Sequence, residues 1–296
     1  MTDQPPAAPE ALDRDRFERF NSRLLGVAYR MLGSWAEAED VVSETWLRWH
    51  DRRPTDLEEP VAWLTTVTTR LALDRWRTLA RHREEYIGPW LPEPIDPGRL
   101  PHETVEQRQS LAFGLLHLMD RLGPEERAVY VLRYAFDHSY NEIATMLGRT
   151  PASCRQLGHR ARAKIDFDPD DVGSGREIPA MEALLTAVLS GRSAEAVALL
   201  TDDAVLIADG GGKVSSALRP IVGPDRVVRF LLGIIGKIGE ARVEMVSINA
   251  GAGLVYTIGD ITRVAIVEVR DGRVARLHLL ANPDKLTGLP EPPEAP

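Results

Sequence analysis

The sequence predicts a multidomain fold, with two all-α domains followed by one α+β domain. Apolar residues recur at helical spacing through roughly the first 165 residues, and from about residue 203 short runs rich in β-branched residues replace them. All six tryptophans lie between Trp35 and Trp90, which also indicates separately built modules. The expected parts are helical domains at 10–83 and 104–166, a Pro-rich linker at 84–103, and the α+β domain at 177–286.

Composition narrows the class of protein. The chain of 296 residues has 44% hydrophobic and 27% charged residues, which is typical of globular proteins. A single cysteine, Cys154, excludes an internal disulfide framework and a Cys-based zinc site. No apolar run approaches the roughly 20 residues that span a bilayer, and residues 1–17 lack the pattern of a secretion signal. We therefore expect a cytoplasmic protein with no membrane partner.

The first domain is predicted to contain three helices. Apolar residues at helical spacing run from Phe17 to Leu32, Gly33 breaks the pattern, a second helix begins near Ala36, and a third covers about 60–81. Four residues at positions i, i+3, i+4 and i+7 share one face of the second helix, and they are Asp40, Ser43, Glu44 and Leu47. Carboxylates beside an exposed leucine suit docking on a basic partner helix, and a merely solvated face is the alternative.

The third helix of this domain is basic, although the chain as a whole has a net charge of −8. That net charge taken alone disfavours binding to a polyanion such as DNA. Arginines and a tryptophan nevertheless interleave along this helix, and they are Arg70, Arg75, Trp76 and Arg77. Cations beside an aromatic ring suit phosphates and unpaired bases, with burial of the tryptophan in the core as the alternative.

Two breaks separate the modules. Five prolines within 84–103 forbid a continuous helix there and favour a semi-rigid, extended spacer. The acidic, Gly-containing stretch 166–177 has no apolar period and is predicted to be a loop.

Residues 124–164 predict a helix-turn-helix. A short helix at Tyr140–Leu147 leads into a tight turn at Gly148, and Thr150 and Pro151 begin a second, basic helix. This layout is typical of an element that reads the DNA major groove, and an antiparallel helical hairpin with a solvated basic face is the alternative. The candidates are Ala152, Ser153, Arg155, Gln156 and His159 for base edges, and Arg160, Arg162 and Lys164 for phosphates.

The last domain has the helix–strand order of a cone-shaped α+β fold around a pocket, which hosts enzymes, ligand binders and scaffolds alike. The DGGGK sequence at 209–213 is too short for a Walker phosphate-binding motif, so we expect no bound cofactor. A glycine loop of this kind suits a contact between domains, and a plain hairpin turn is the alternative. His278 and Asp260 are the only obvious acid–base candidates, and an isolated strand histidine is usually structural, so we do not expect an enzyme.

Several stretches resemble one known family. AEDVVSETWLRWH with PVAWLTTVTTRLALDRWR resembles the sigma-two domain of bacterial extracytoplasmic-function sigma factors. LGPEERAVYVLRYAFDHSYNEIATMLGRTPASCRQLGHRARAKI resembles their sigma-four helix-turn-helix domain, so that the resemblance covers about 15–165. The last domain, with GPWLPEP, DGGGK and NPDKL, is similar to the SnoaL-like (NTF2-like) extension fused to one subgroup.

The resemblance implies roles for these candidate residues. The face of Asp40, Ser43, Glu44 and Leu47 corresponds to the helix that docks on the β′ clamp helices of the RNA polymerase core. The loop at 51–59 corresponds to the one that captures a flipped base of the promoter −10 element, and 70–77 to the helix that contacts this element. The second helix of the helix-turn-helix corresponds to the reader of the −35 element. Ser43 stands where many members have Gln, and the Asn common in the −10 helix is absent at Arg70 and Leu71.

The resemblance also implies that the last domain regulates the sigma domains in cis, with no separate anti-sigma factor. The residues expected to make the regulatory contacts are Trp90, Leu91, Pro92, Asp209, Gly210, Gly211, Gly212, Lys213, Asn282, Pro283, Asp284 and Lys285. The leading prediction is a promoter-specificity subunit of RNA polymerase, with the polymerase core and promoter DNA as partners. The alternatives are a ligand-sensing helix-turn-helix transcription factor that acts without polymerase, and a fused SnoaL-like cyclase or hydrolase.

Overall fold

The computed structural model describes residues 9–52, 59–100, 103–165, 176–235, 242–258, 260–287 and 289. The chain divides into two compact units. The first unit combines 1–79, 98–107 and 121–164, and the second combines 80–97, 108–120 and 165–296. The second unit therefore joins the C-terminal domain to two segments from earlier in the chain.

The helices up to residue 164 follow the apolar spacing of the sequence. In chain order they are α1 (Pro9–Leu32), α2 (Trp35–Arg52), α3 (Pro60–Glu84), α4 (Val105–Gln109), α5 (Phe113–Leu118), α6 (Pro124–Tyr130), α7 (Tyr140–Leu147) and α8 (Pro151–Lys164). Gly33 ends α1 with a φ of 68°, a conformation that glycine adopts without strain, and the Ser34 hydroxyl accepts the amide of Glu37 at the start of α2. The predicted break between these helices is thereby confirmed.

Two fully buried arginines hold the first unit together. Arg30 forms a two-pronged ion pair with Glu103, at 2.7 and 2.9 Å, and also donates to the carbonyl of Gln107. Arg127 donates from Nε to the carbonyl of Arg30 at 2.9 Å. Because bidentate guanidinium–carboxylate bonds are strong and directional, these contacts fix α1 against α6 and against residues 103–107.

The helix-turn-helix forms as predicted. Ser139 and Glu142 cap the start of α7 reciprocally, and Gly148 ends it with a φ of 64°. The Thr150 hydroxyl accepts the amide of Ser153 at 3.2 Å, which caps α8. The apolar core beneath consists of Val129, Leu132, Ile143, Ala144, Met146, Cys154 and Leu157.

The second unit is built on a six-stranded sheet. Its remaining elements are α9 (Glu177–Leu189), α10 (Ser193–Ala198), β1 (Leu200–Asp209), β2 (Ile221–Val222), α11 (Pro224–Ile235), β3 (Arg242–Ile248), β4 (Gly251–Ile258), β5 (Ile261–Arg270) and β6 (Arg273–Leu280). The strand order is β2-β1-β6-β5-β4-β3, and only β1 and β6 pair in parallel. Asp271 and Gly272, with φ of 53° and 75°, form the predicted turn between β5 and β6. The predicted fold class, helical domains followed by an α+β cone, is confirmed.

Each face of the sheet is covered differently. Helices α9, α10 and α11 pack on one face around a core that includes Leu184, Val227 and Leu277. The linker and α5 cover the other face, where Leu91 and Phe113 pack against strand residues. The prolines keep 89–96 free of helix, as predicted, but this segment is not a free spacer because its apolar side chains complete a core.

Candidate functional site

The four α2 residues that the sequence predicts for docking lie on one exposed face of the helix. Asp40, Ser43, Glu44 and Leu47 are all exposed, and 59% of the Leu47 side chain remains accessible. Glu44 pairs with Arg48 at 2.7 Å, in a bridge that is half exposed on both sides. An exposed ion pair of this kind is weak, so the carboxylate can exchange partners at little cost.

The basic face of α3 is already engaged within the first unit. Arg70 donates from Nε to the carbonyl of Met146 at 2.7 Å and from its terminal nitrogen to that of Thr145 at 3.3 Å. These carbonyls belong to the C-terminal end of α7, which carries partial negative charge. Arg77 lies 3.8 Å from Glu125 on α6. Arg70 therefore contacts the helix-turn-helix in this arrangement, whereas the shorter ion pair of Arg77 is with Asp74 on its own helix, at 2.9 Å.

The other two −10 candidates face α2 or the protein interior. Arg75 binds Glu37 and lies 3.7 Å from Asp40, and the hydrogen bond to Glu37 raises the pKa of the guanidinium. Trp76 is half-buried. The predicted base-capturing loop lies mainly in 53–58, which falls outside the described residues.

The start of α8 presents the predicted base-reading side chains to solvent. Arg155, Gln156 and His159 are exposed, whereas Ser153 is half-buried under the Thr150 cap. Cys154 is buried, and burial raises the pKa of its thiol.

The end of α8 is partly neutralised by α6. Glu126 lies 3.3 Å from Arg160 and 2.6 Å from Lys164, and these cations help to lower the pKa of its carboxyl group. Arg162 is exposed and stacks over the Tyr134 ring at 5.7 Å. Arg155 and Arg162 are thus exposed cations of α8, and Arg160 and Lys164 are about half exposed beside Glu126.

The predicted regulatory motifs converge on one buried carboxylate in the second unit. Asp209, 1% exposed, accepts from the Tyr86 hydroxyl at 2.6 Å, the Leu91 amide at 2.9 Å and the Lys285 ammonium at 2.7 Å. Lys285 also donates to the Leu91 carbonyl at 2.6 Å, and Asn282 donates to the Tyr86 oxygen at 2.8 Å. We call these five residues the linker clamp, because both backbone polar groups of Leu91 are held.

Aromatic rings surround the ammonium of the linker clamp. Lys285 Nζ lies 4.0 Å from the centroid of the Trp90 ring and 4.8 Å from that of Tyr86. Burial lowers the pKa of Lys285 to about 8, with Asp209 opposing the shift. Burial, followed by the neighbouring Asp209, raises the pKa of Tyr86.

The other motif residues surround the clamp, and the Gly211 amide also donates to Asp209 at 3.0 Å. Gly211 and Gly212 have φ of 60° and 70°, and a Cβ on Gly211 would lie 2.4 Å from the Asn282 side chain. Lys213 and Asp284 pair at 2.6 Å, but both side chains are more than half exposed. Gly210 follows Asp209 directly, and Pro92, which follows Leu91, is buried. Pro283 begins a short turn in which the Asn282 side chain accepts the amide of Asp284.

Sequence reasoning missed two residues of this site: Tyr86, which itself lies in the linker, and Asn249, which binds the linker. Tyr86 lies outside the motifs, and the only available signal was an aromatic hydroxyl four residues before Trp90. Asn249, at a φ of 54°, exchanges two hydrogen bonds with the backbone of Ile95, at 2.8 and 3.2 Å.

The acid–base candidates occupy different settings. His278 is fully buried, and its Nε2 lies 2.5 Å from Glu268. Asp260 is exposed in the turn before β5. Among the helices of the described residues, none has the length and apolar character that a membrane crossing requires.

Two family models match the helical part of the chain. Residues 16–82 match sigma-70 region 2, and residues 113–165 match sigma-70 region 4. The ECF RNA polymerase sigma factor SigJ of Mycobacterium tuberculosis (strain ATCC 25618 / H37Rv) is 37% identical over 300 residues, which is 94% of this chain and 95% of SigJ.

The chain belongs to the extracytoplasmic-function RNA polymerase sigma factors. A second relative of this sigma factor, the probable ECF RNA polymerase sigma factor SigI of the same species (strain CDC 1551 / Oshkosh), is 29% identical and covers 90% of this chain and 92% of SigI. The crystal structure of Mycobacterium tuberculosis SigJ superposes with a TM-score of 0.76 at 33% identity, over 93% of this chain and 99% of that one. The likeness therefore extends beyond the helical regions to the C-terminal domain. The leading functional prediction, promoter-directed transcription with RNA polymerase, is confirmed, and a transcription factor acting without polymerase is not favoured.

Proposed function

We propose that this sigma factor docks on core RNA polymerase through Asp40, Ser43, Glu44 and Leu47 of α2. The support is the exposure of all four side chains on one face, with Leu47 providing apolar contact in the middle of a polar surface. The weak Glu44–Arg48 pair leaves the carboxylate free to meet a basic partner helix.

Promoter recognition is assigned to two helices in this proposal. The four α3 candidates, Arg70, Arg75, Trp76 and Arg77, contact the −10 element. The α8 candidates, Ser153, Arg155, Gln156, His159, Arg160 and Arg162, bind the −35 element. Because Arg70 and Arg77 contact α7 and α6 in this arrangement, those contacts must open before α3 can bind DNA. In this proposal the sigma-two domain covers 10–83, the linker 84–103, the sigma-four domain 104–166 and the regulatory domain 177–286.

The C-terminal domain regulates this opening in cis, without a separate anti-sigma factor or catalysis. The observation on which this rests is the linker clamp: Leu91, in the linker between the two helical regions, is held through both its amide and its carbonyl. Phe113 at the start of region 4 is buried in the same core as Leu91. A domain that binds both of these segments stabilises one conformation of the chain between the promoter-binding helices.

Run-off transcription with core polymerase tests the regulatory proposal. Lys285→Met removes the ammonium of the linker clamp, and we expect it to raise promoter output because the linker is released. Lys213→Met is the matched control, since Lys213 pairs with Asp284 on the surface of the same domain. Unchanged or lower promoter output from Lys285→Met would contradict the proposal that the linker clamp restrains promoter binding.

Co-purification with core polymerase tests the docking surface separately. Glu44→Lys reverses one charge on the proposed face, and we expect it to weaken retention of the sigma factor on core polymerase. Glu84→Lys makes the same change at an exposed position at the end of α3 and leaves retention intact. Equal retention of both variants would place the docking surface elsewhere.

A further inference from the structure

The second unit contains an apolar cavity of about 260 Å³ between α9, α11 and the sheet. Its walls include Leu184, Val188, Leu231, Leu254 and Leu277. Among the described residues that line it, Tyr256 has the only polar side chain. A cavity with such walls holds water poorly and favours an apolar occupant.

The rim of this cavity is apolar as well. Leu189 at the end of α9 is 59% exposed and Val243 on β3 is 44% exposed, and both line the cavity. The cavity is therefore open to solvent past side chains that an apolar molecule would cover.

A second compartment of about 550 Å³ adjoins the first and shares Ile234, Tyr256 and Leu279 with it. Unlike the first compartment, it has several polar and charged side chains in its lining: Arg229, Arg263, Ser215 and Ser216. No carboxylate lines either compartment among the described residues. The two compartments together match the usual size of sites for small organic ligands.

Arg229 and Arg263 provide the positive charge of this lining. Arg263 donates to the carbonyls of Ile258 and Ile261, at 3.5 and 3.1 Å, which positions its guanidinium. Within the part of the chain that the structure describes, neither Arg229 nor Arg263 forms an ion pair with a carboxylate. Tyr256 stands between the compartments, and burial raises the pKa of its hydroxyl, so the phenol stays neutral and can donate.

We propose that the C-terminal domain binds an amphipathic organic monoanion, whose apolar body fills the cavity and whose carboxylate meets Arg263 and Arg229. Charge complementarity selects the head group, because the formal charges among the described residues that line the compartments are all positive. The apolar walls select a body of aliphatic or fused-ring hydrocarbon. The site is separate from the linker clamp, and binding is measurable whether or not the clamp regulates transcription.

Isothermal titration calorimetry of the full chain with straight-chain carboxylates tests the proposal. Affinity should rise about fourfold for each methylene added from octanoate to dodecanoate, as expected for methylene burial. Dodecyltrimethylammonium, whose alkyl chain is one methylene longer and whose charge is opposite, should bind at least tenfold more weakly than dodecanoate. Absence of binding, affinity independent of chain length, or equal binding of the cation would overturn the proposal.

Variants separate the head group from the body. Arg263→Gln should weaken dodecanoate binding about tenfold or more while keeping the chain-length dependence, since it removes a charged hydrogen-bond donor. Arg229→Gln should act in the same direction, and Arg226→Gln, an exposed arginine on the same helix outside the cavity lining, should have no effect. Ala265→Leu fills the apolar compartment and should abolish the gain from longer chains. If Ala265→Leu does not fold, the arginine variants still decide, because equal affinities of Arg263→Gln, Arg226→Gln and the natural chain would refute the head-group site.

Discussion

Replacing Lys285 by methionine should open the linker locally. The change removes the ammonium from a carboxylate that is only 1% exposed, and removing one partner of a buried ion pair costs about 3–5 kcal/mol. Asp209 would keep three donors, from Tyr86, Leu91 and Gly211. Burial also disfavours the ammonium itself, as its pKa of about 8 shows, so we expect the lower end, about 3 kcal/mol.

Hydrogen–deuterium exchange of the Leu91 amide measures this opening. Its bond to Asp209 protects the amide, and a loss of about 3 kcal/mol in opening free energy corresponds to roughly hundredfold faster exchange. The Val264 amide in the central strand β5 serves as the reference, because it accelerates only if the whole domain unfolds.

Lys213→Met is the control for the size of the effect. The Lys213–Asp284 pair is more than half exposed on both sides, so its loss should cost under about 1 kcal/mol and leave Leu91 exchange nearly unchanged. Unchanged Leu91 exchange in Lys285→Met, or equal acceleration in both variants, would refute the assignment of the buried pair as the element that holds the linker.

Three further predictions concern the pKa of Lys285, the buried Arg30–Glu103 pair and the turn at Gly148. Lys285 should titrate near pH 8 in ¹⁵N NMR of the four lysine side chains. Between pH 8 and 10.5 this lysine is protonated in the unfolded chain and neutral in the folded chain. The free energy of unfolding that this group contributes therefore rises with pH in that range. Arg30→Met leaves Glu103 buried without its cation and should destabilise the first unit by about 3–5 kcal/mol in urea unfolding, whereas an effect below about 1 kcal/mol would contradict the buried bridge. Gly148→Ala places a side chain at a φ of 64° and should cost about 1–2 kcal/mol in the same assay, with an unchanged midpoint arguing against the left-handed turn.

Local signals made much of the fold predictable. The helix at Tyr140–Leu147 ends where expected because Gly148 adopts a left-handed conformation that other residues resist, and Thr150 caps the following helix. Helical periodicity also placed Asp40 and Leu47 correctly on one exposed face of α2. The spacing of apolar residues in α7 predicts that Ile143, Ala144 and Leu147 are buried; the first two are, but Leu147 is only half-buried, and Met146 is buried as well.

The engagement of Arg70 could not be predicted from the sequence. Its charge and position on a basic helix are visible in the sequence and suit DNA. Its partners in the structure are backbone carbonyls at residues 145 and 146, about 75 positions away, and every residue type offers a carbonyl. The pattern of side chains in the sequence therefore could not predict this contact.

The sequence by itself determined which segments are helical or extended, which faces are polar, and, through resemblance, that GPWLPEP, DGGGK and NPDKL matter together. Only the tertiary structure decided which of their charges are buried. Lys285 forms a buried ion pair with Asp209, whereas Lys213, in a motif that also has one lysine and one aspartate, forms an exposed pair with Asp284. Lys285 and Leu91 are 194 positions apart, and Tyr86 and Asp209 are 123 apart. Contacts at such separations depend on the register of a folded sheet, and it is the exclusion of water there that makes one Lys–Asp pair strong and leaves the other weak.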